Sequence, residues 1–259
     1  MSKGARNREI ARQKLAELRA AEARRKRRNK LLAWAGGAVV AVGAVVGIVI
    51  AVTANSGSAG ATNTGHYSLA ALSTLGSLKA APPAGANGPE GVPVPAGPAL
   101  ASTASAATGQ KVDGISCQTN EQTIFHIHAH LAIFVNGSAR QVPAAIGIPG
   151  ARAQNTAAGP FIGSGTCFYW LHTHASDGIV HIESPVHRTY TLGNFFDEWG
   201  QPLGPNQVGP DKGHVVAIYN GKVFQGNPRF IPLTAHAQIQ LEVGTPLVAP
   251  ETITFPNGL

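Results

Sequence analysis

Two stretches decide how this chain reads: residues 124–135, IFHIHAHLAIFV, and residues 167–184, CFYWLHTHASDGIVHIES. In the first, Phe125, Ile127, Ala129, Leu131, Ile133 and Val135 alternate with His126, His128 and His130. Successive strand residues point to opposite sides, so this is a strand with one apolar face and one imidazole face. In the second, His172 and His174 precede Asp177-Gly178, and His181 and Glu183 follow it. That is a hairpin carrying ligand-type side chains on one face. A two-residue turn opposes His174 to His181 and His172 to Glu183. A four-residue turn over 175–178 opposes His172 to His181 and keeps the same face, whereas a one-residue slip scatters the cluster.

Working outward, Asn136-Gly137 turns the first strand into a partner over 139–148, and 149–166 is a Gly/Pro-rich loop. Thr191 is placed to cap a short helix, Leu192–Trp199. Val215–Tyr219 and residues 222–224 flank a second Asn-Gly turn, and Ala237–Val243 alternates as a last strand. The expected class is α+β, mostly β and mainly antiparallel, with a β-grasp-like ββαββ half that the first hairpin extends or covers. A β-sandwich of the cupredoxin or cupin kind is the alternative. Alternation of long helices with strands is missing, which excludes a doubly wound fold.

Cys117 and Cys167 are the chain's only cysteines, one ahead of each histidine-bearing strand. Outside the cytoplasm a disulfide is the simplest use of such a pair, and a thiolate ligand is the alternative.

Charge is divided unevenly. Residues 1–30 carry twelve Lys/Arg and three Glu, a net of +9, while residues 31–259 carry eight Lys/Arg and ten Asp/Glu, a net of −2. Residues 31–54 are 24 positions without a charge, enough for a transmembrane helix. Arg24–Arg28 abuts this run and Trp34 sits at its edge, so the positive-inside rule places 1–30 in the cytoplasm and the rest outside. The basic segment then lies along anionic lipid headgroups rather than nucleic acid. A cleaved signal peptide ending at Ala54 is the rival, with a basic region and apolar core both long for one. Gly43 and Gly47 allow helix pairing and an oligomer, although small residues recur throughout the span and favour no such role. Residues 55–110, rich in Ala, Gly, Pro and Ser, read as a tether with a short helix over 66–78. Residues 111–259 then form the extracytoplasmic domain.

Neutral imidazole is the commonest transition-metal ligand, so His126, His128, His130, His172, His174, His181 and Glu183 are candidate metal ligands. A single strand-face histidine is ordinarily solvated or satisfied in the core; six at period-two spacing point to a site. Histidines at i and i+4 stand about 13 Å apart on a strand, so only two of the first three join the hairpin ligands, with His128 and His130 preferred. Phe168 and Trp170, on the His172 face, suggest an aromatic wall. Copper is placed slightly ahead of zinc or iron by the Irving–Williams order and an oxidising compartment. His187, Arg188, His214 and His236 read as structural, and Asp197-Glu198 as solvated charge.

The segments HIHAHLAIFVNG and CFYWLHTHASDGIVHIESP, with YTLGNFFDEWGQPLG after them, resemble a family of uncharacterised extracytoplasmic prokaryotic proteins. That family carries an H-x-H-x-H-L strand and an L-H-T-H-x-x-x-G-x-x-H-I-E hairpin. The resemblance covers residues 114–243 and implies that all seven candidate ligands belong to one shared site; it implies no activity. Three functions remain open at this point. They are membrane-anchored metal capture, buffering or electron transfer; a metalloenzyme with an open position and Glu183 as general base; and a surface domain with pH-sensitive histidines. No P-loop, dinucleotide fingerprint or G-x-S-x-G elbow is present.

Overall fold

The computed structural model describes residues 66–259. The basic segment 1–30, the apolar run 31–54 with Gly43 and Gly47, and the first part of the tether lie outside the described residues. Among the described residues, no helix is long and apolar enough to cross a membrane.

The strands in chain order are β1 (Ser68–Ala70), β2 (Phe125–Val135), β3 (Ser138–Arg140), β4 (Arg152–Thr156), β5 (Gly159–Ser164), β6 (Leu171–His172), β7 (Ile179–Ser184) and β8 (Tyr190–Thr191). Helix α1 (Leu192–Trp199) follows. After it come β9 (Leu203–Gly204), β10 (Gln207–Val208), β11 (Asp211–Lys212), β12 (Val215–Tyr219), β13 (Lys222–Gln225), β14 (Pro232–Leu233) and β15 (Ala237–Val243). The main sheet has eight strands in the order β1-β13-β12-β15-β2-β7-β6, with β3 also on β2. Its pairings are antiparallel except β15 on β2, which is parallel from Ala237↔Ala129 to Val243↔Val135. The class is therefore mostly β, mainly antiparallel, with one short α-helix among the described residues.

The expected arrangement of the strands needs correction. The hairpins on either side of the helix, β6–β7 and β12–β13, share the sheet but do not adjoin, because β2 and β15 run between them. Strand β2 is central rather than an addition at the edge, and the described residues form one large sheet with three small ones instead of a two-sheet sandwich. The physical reason is that both faces of β2 are covered, as befits a central strand. Ala129, Leu131, Ile133 and Val135 enter the main core, while Ala132 and Phe134 pack on the other side with Ala139 and Val248.

Helix α1 supplies the other half of the main core. Thr191 accepts from the Asn194 backbone N–H and the Asn194 side chain returns a bond to the Thr191 backbone, a capping box, and Gly200 ends the helix in the left-handed region. Leu192, Phe195, Phe196 and Trp199 are fully buried. Both Asn-Gly turns are two-residue turns with positive φ at each position, pairing Val135 with Ser138 and Tyr219 with Lys222. The expected strand over 139–148 stops at Arg140, and Pro143 begins a loop that bonds to the 173 region instead.

Asp197 and Glu198 are not free solvated charges: the first is partly exposed and ion-paired, the second buried. Asp197 is paired with Arg229. Glu198 is fully buried, and neither carboxyl oxygen has a partner. Burial, reinforced by Asp113, raises its pKa well above the usual carboxylate range. Replacing such an orphan by a similar apolar shape removes a desolvation cost of about 1–3 kcal/mol. We expect Glu198→Met to raise stability by that order. The gain grows with pH, because the native wild-type carboxyl resists an ionisation that the unfolded chain undergoes freely. Denaturant unfolding at two pH values measures it.

Residues 66–110, read from composition as a tether, pack on the domain. Strand β1 pairs with β13, the Lys79 backbone bridges to Val248, and Gln141 accepts from Leu100 N–H on its carbonyl while its own N–H donates to the Pro98 carbonyl. Val92, Leu100 and Ala107 are buried. The expected helix over 66–78 is β1 followed by a 3-10 turn at Leu72–Leu75. A Pro-rich strip has preset φ and few donors to satisfy, which suits it to lie over the second face of a sheet.

Candidate metal centre

The centre is made by strand register. Strand β7 opposes His126 to Glu183 and His128 to His181 on β2, while β6 opposes His172 to His181. One face therefore carries a row His128–His181–His172 across three strands, with His126 and Glu183 beside it. The hairpin follows the four-residue-turn pairing, not the two-residue one, and the strand pairing ends at His172. Beyond it, Thr173 exchanges main-chain bonds with Ala145 and Ile146, and the His174 carbonyl accepts from Ile162 N–H. Asp177 Oδ1 accepts from Ile179 N–H at 3.2 Å and sets the return into β7. Gly178 is required there, since a Cβ would stand 2.5 Å from the Leu131 carbonyl oxygen and its φ is +85°.

Four ligand atoms form a closed ring. His126 Nε2 lies 3.1 Å from His128 Nε2, His128 Nε2 3.1 Å from His181 Nδ1, His181 Nδ1 3.3 Å from Glu183 Oε1, and Glu183 Oε1 3.0 Å from His126 Nε2. Ligands held 2.0–2.1 Å from a tetrahedral ion are separated by about 3.3–3.4 Å, so the four edges of the ring match such an ion, while the donors across it, all within 4.8 Å, must close further. Four donors, three imidazole and one carboxylate, also suit the chemistry of zinc, copper, nickel or iron(II).

A second group, His172, His174, His181 and Glu183, again has its ligand atoms within 4.8 Å of one another. His172 Nδ1 donates to the Tyr169 carbonyl at 2.8 Å, and His174 Nδ1 donates to the Ile162 carbonyl. A carbonyl only accepts, so each ring carries its proton on Nδ1 and presents Nε2 as a lone pair. The two Nε2 atoms are 3.2 Å apart. Phe161 stacks on His174 and Phe168 meets the edge of His172, while Trp170 turns to the core and donates to Gln118.

Two carboxylates that sequence reasoning did not select join the site. Glu90, buried in a turn of the presumed tether, accepts from His181 Nε2 at 2.7 Å. Glu121 Oε1 stands 3.6 Å from His174 Nε2 at a half-exposed rim. The one available signal for Glu90 was isolation, because it and Lys79 are the only charged residues between 55 and 110.

Electrostatics separates the histidines. Burial, then the neighbouring His181 and His126, pushes His128 down to about 3. Burial, then His181, lowers His172 well below its ordinary value and lowers His174 as well. Burial would also lower His181, but the Glu183 and Glu90 carboxylates outweigh it and hold His181 up at about 9. Burial would raise Glu183, yet bonds from His126 and His181 keep it below the usual carboxylate range. Metal-free, the site thus holds His181 as an imidazolium between Glu183 and Glu90, with His128, His172 and His174 kept neutral.

Of the seven residues proposed from sequence, six fall in these two groups and His130 does not. It lies opposite Ile179, donates from Nε2 to the Asp177 carbonyl at 3.1 Å, and is buried with Nδ1 unpartnered. The β2 contribution is therefore His126 and His128, correcting the preference for His128 and His130. The reason is that β7 carries its ligands at 181 and 183, opposite 128 and 126. His187 packs beside Phe125, His236 stacks on Phe255, and Arg188 covers Tyr190. Cys117 and Cys167 form a disulfide, which removes thiolate ligation.

Comparison of the chain with family models, curated proteins and solved structures gives no match.

Proposed function

We propose that this protein is a membrane-anchored, extracytoplasmic transition-metal-binding protein that captures or buffers an ion through its histidine–glutamate cluster. The observation that carries the reading is the closed ring of His126, His128, His181 and Glu183 donor atoms at 3.0–3.3 Å. His126 is 38 % exposed, which leaves the ring an approach from solvent. The uncharged run 31–54 behind a basic segment supports a single span with the amino terminus in the cytoplasm, and residues 1–30 would rest on anionic headgroups. The Cys117–Cys167 disulfide suits an oxidising compartment. Copper is placed ahead of zinc and iron on affinity order. Glu183 serves as a ligand in this reading rather than as the general base of an enzyme, because its Oε1 closes the ring.

Elemental analysis of the full chain, purified in detergent without a His-tag, tests the reading. We expect at least one equivalent of transition metal per chain in the wild type, and in His126→Ala/His128→Ala the loss of the ion held by this ring. A wild type without metal after dialysis against copper, zinc and iron(II) would overturn it. Protease accessibility of residues 66–259 in intact and opened cells tests the orientation.

Proton release gives a further check. His181 is protonated up to about 9, so an ion taking its Nδ1 at pH 7 must displace a proton. We expect release of about one proton per ion at this ring, with apparent affinity rising about tenfold per pH unit from pH 6.5 towards 9. Calorimetry in buffers of different ionisation enthalpy reads the proton count.

A further inference from the structure

We propose that the cluster holds two divalent ions rather than one, with Glu183 as the bridging carboxylate. The inference rests on the metal-binding reading above and goes beyond it in number, ligand assignment and coupling.

Three observations carry it. First, an ion 2.0–2.1 Å from its ligands keeps all of them within about 4.2 Å of each other, and the six clustered residues divide into two overlapping groups of four whose donor atoms span up to 4.8 Å, a short closure from that limit. Second, the tautomers of His172 and His174 are set by the Tyr169 and Ile162 carbonyls. Their Nε2 lone pairs then face each other at 3.2 Å, in a buried place, with no proton between them. Lone pairs so placed repel, and a cation between them turns that repulsion into ligation. Third, Glu183 belongs to both groups and uses only one oxygen. Its Oε1 contacts His126 and His181, while Oε2 is buried with no partner. A buried carboxylate oxygen left bare costs stability, and an ion on the His172/His174 side satisfies it.

The assignment follows. The first ion takes His126 Nε2, His128 Nε2, His181 Nδ1 and Glu183 Oε1. The second takes His172 Nε2, His174 Nε2 and Glu183 Oε2, with a position left towards Glu121 and solvent. Glu90 binds neither ion. It holds the other nitrogen of His181 at 2.7 Å, as carboxylates commonly orient a ligating imidazole.

Equilibrium dialysis of the full chain in detergent against Zn2+ measures the number of ions, and Cu2+ loading followed by electron paramagnetic resonance measures their coupling. We expect two Zn2+ per chain in the wild type, and one in each of His126→Ala/His128→Ala and His172→Ala/His174→Ala. The two-copper wild type should show magnetic coupling between ions a few ångströms apart, and each double variant an uncoupled single-copper signal. One Zn2+ in the wild type overturns this inference and leaves the metal-binding reading standing. No Zn2+ and no Cu2+ removes both. Two ions with uncoupled copper signals overturn the bridge. The wild-type count and spectrum decide the matter even if a variant fails to fold.

Discussion

Metal-free protein is expected to lose stability steeply as pH falls below about 6.5. His128, His130, His172 and His174 are all at most 4 % exposed, and burial lowers the pKa of each, His128 to about 3 and His130 to about 4 from 6.5. In the unfolded chain each titrates near its ordinary value, so the unfolded state binds more protons as the solution is acidified. Each such group removes about 1.4 kcal/mol of stability per pH unit within its window. Four together reach at most about 5.6 kcal/mol per unit, against a total stability for a domain of about 5–15 kcal/mol. His181 adds nothing here, being protonated in both states below 6.5. Its raised pKa works at the other end, where stabilisation is lost as pH rises from 6.5 through about 9. A stability maximum near neutrality follows. Denaturant midpoints of chelator-treated protein at pH 7.5, 6.5 and 5.5 test this, and a flat profile across that range would mean that the imidazoles are not buried as neutral groups.

The second large effect belongs to the disulfide. Cys117 and Cys167 are 50 residues apart, and the chain-entropy model assigns a loop of that size about 4 kcal/mol. The bridge also acts on the site. Beside it Gln118 and Phe168 exchange main-chain bonds at 2.8 and 2.7 Å, and Trp170 Nε1 donates to Gln118 Oε1 at 2.6 Å. These bonds lead directly into Leu171 and His172. We expect Cys117→Ser/Cys167→Ser to lower stability by about 4 kcal/mol in denaturant unfolding and to weaken metal affinity, because His172 and His174 then lose their fixed approach. A loss under about 1 kcal/mol with unchanged affinity would show that packing of the 110–124 segment suffices without the bridge.

The period-two placement of histidines was enough to assign a strand and a hairpin, to put His126 and His128 on one side of the strand, and to put His172, His181 and Glu183 together on one side of the hairpin. Alternation is a local property, fixed by the pleat, and needs no knowledge of neighbours. The Asn-Gly turns and the Thr191 cap were legible for the same reason, since their chemistry is contained within four residues. The Leu192–Trp199 helix and the single cysteine pair likewise left few choices.

Other features depend on parts of the chain far apart in sequence, and there local reading fails. The separation of His130 from its neighbours follows from which β7 residue each β2 histidine opposes, and nothing within 124–135 specifies that partner. Composition assigned 66–110 to a tether because extended Pro-rich chain looks the same solvated or packed. Its packing is decided by the rest of the domain: Leu100 and Ala107 enter the main core, and the second face of the sheet carries Ala132 and Phe134. Glu90 comes with that strip, and so does its bond to His181.

Strand periodicity, turn chemistry, the helix cap and the inventory of ligand side chains were thus determined by the sequence itself, because each is settled by steric and hydrogen-bonding rules acting over a few residues. The order of strands, the β2–β7 register, the choice of His126 over His130 and the arrival of Glu90 were decided only by tertiary structure. They arise where distant segments compete to bury the same surfaces and to satisfy the same buried polar atoms.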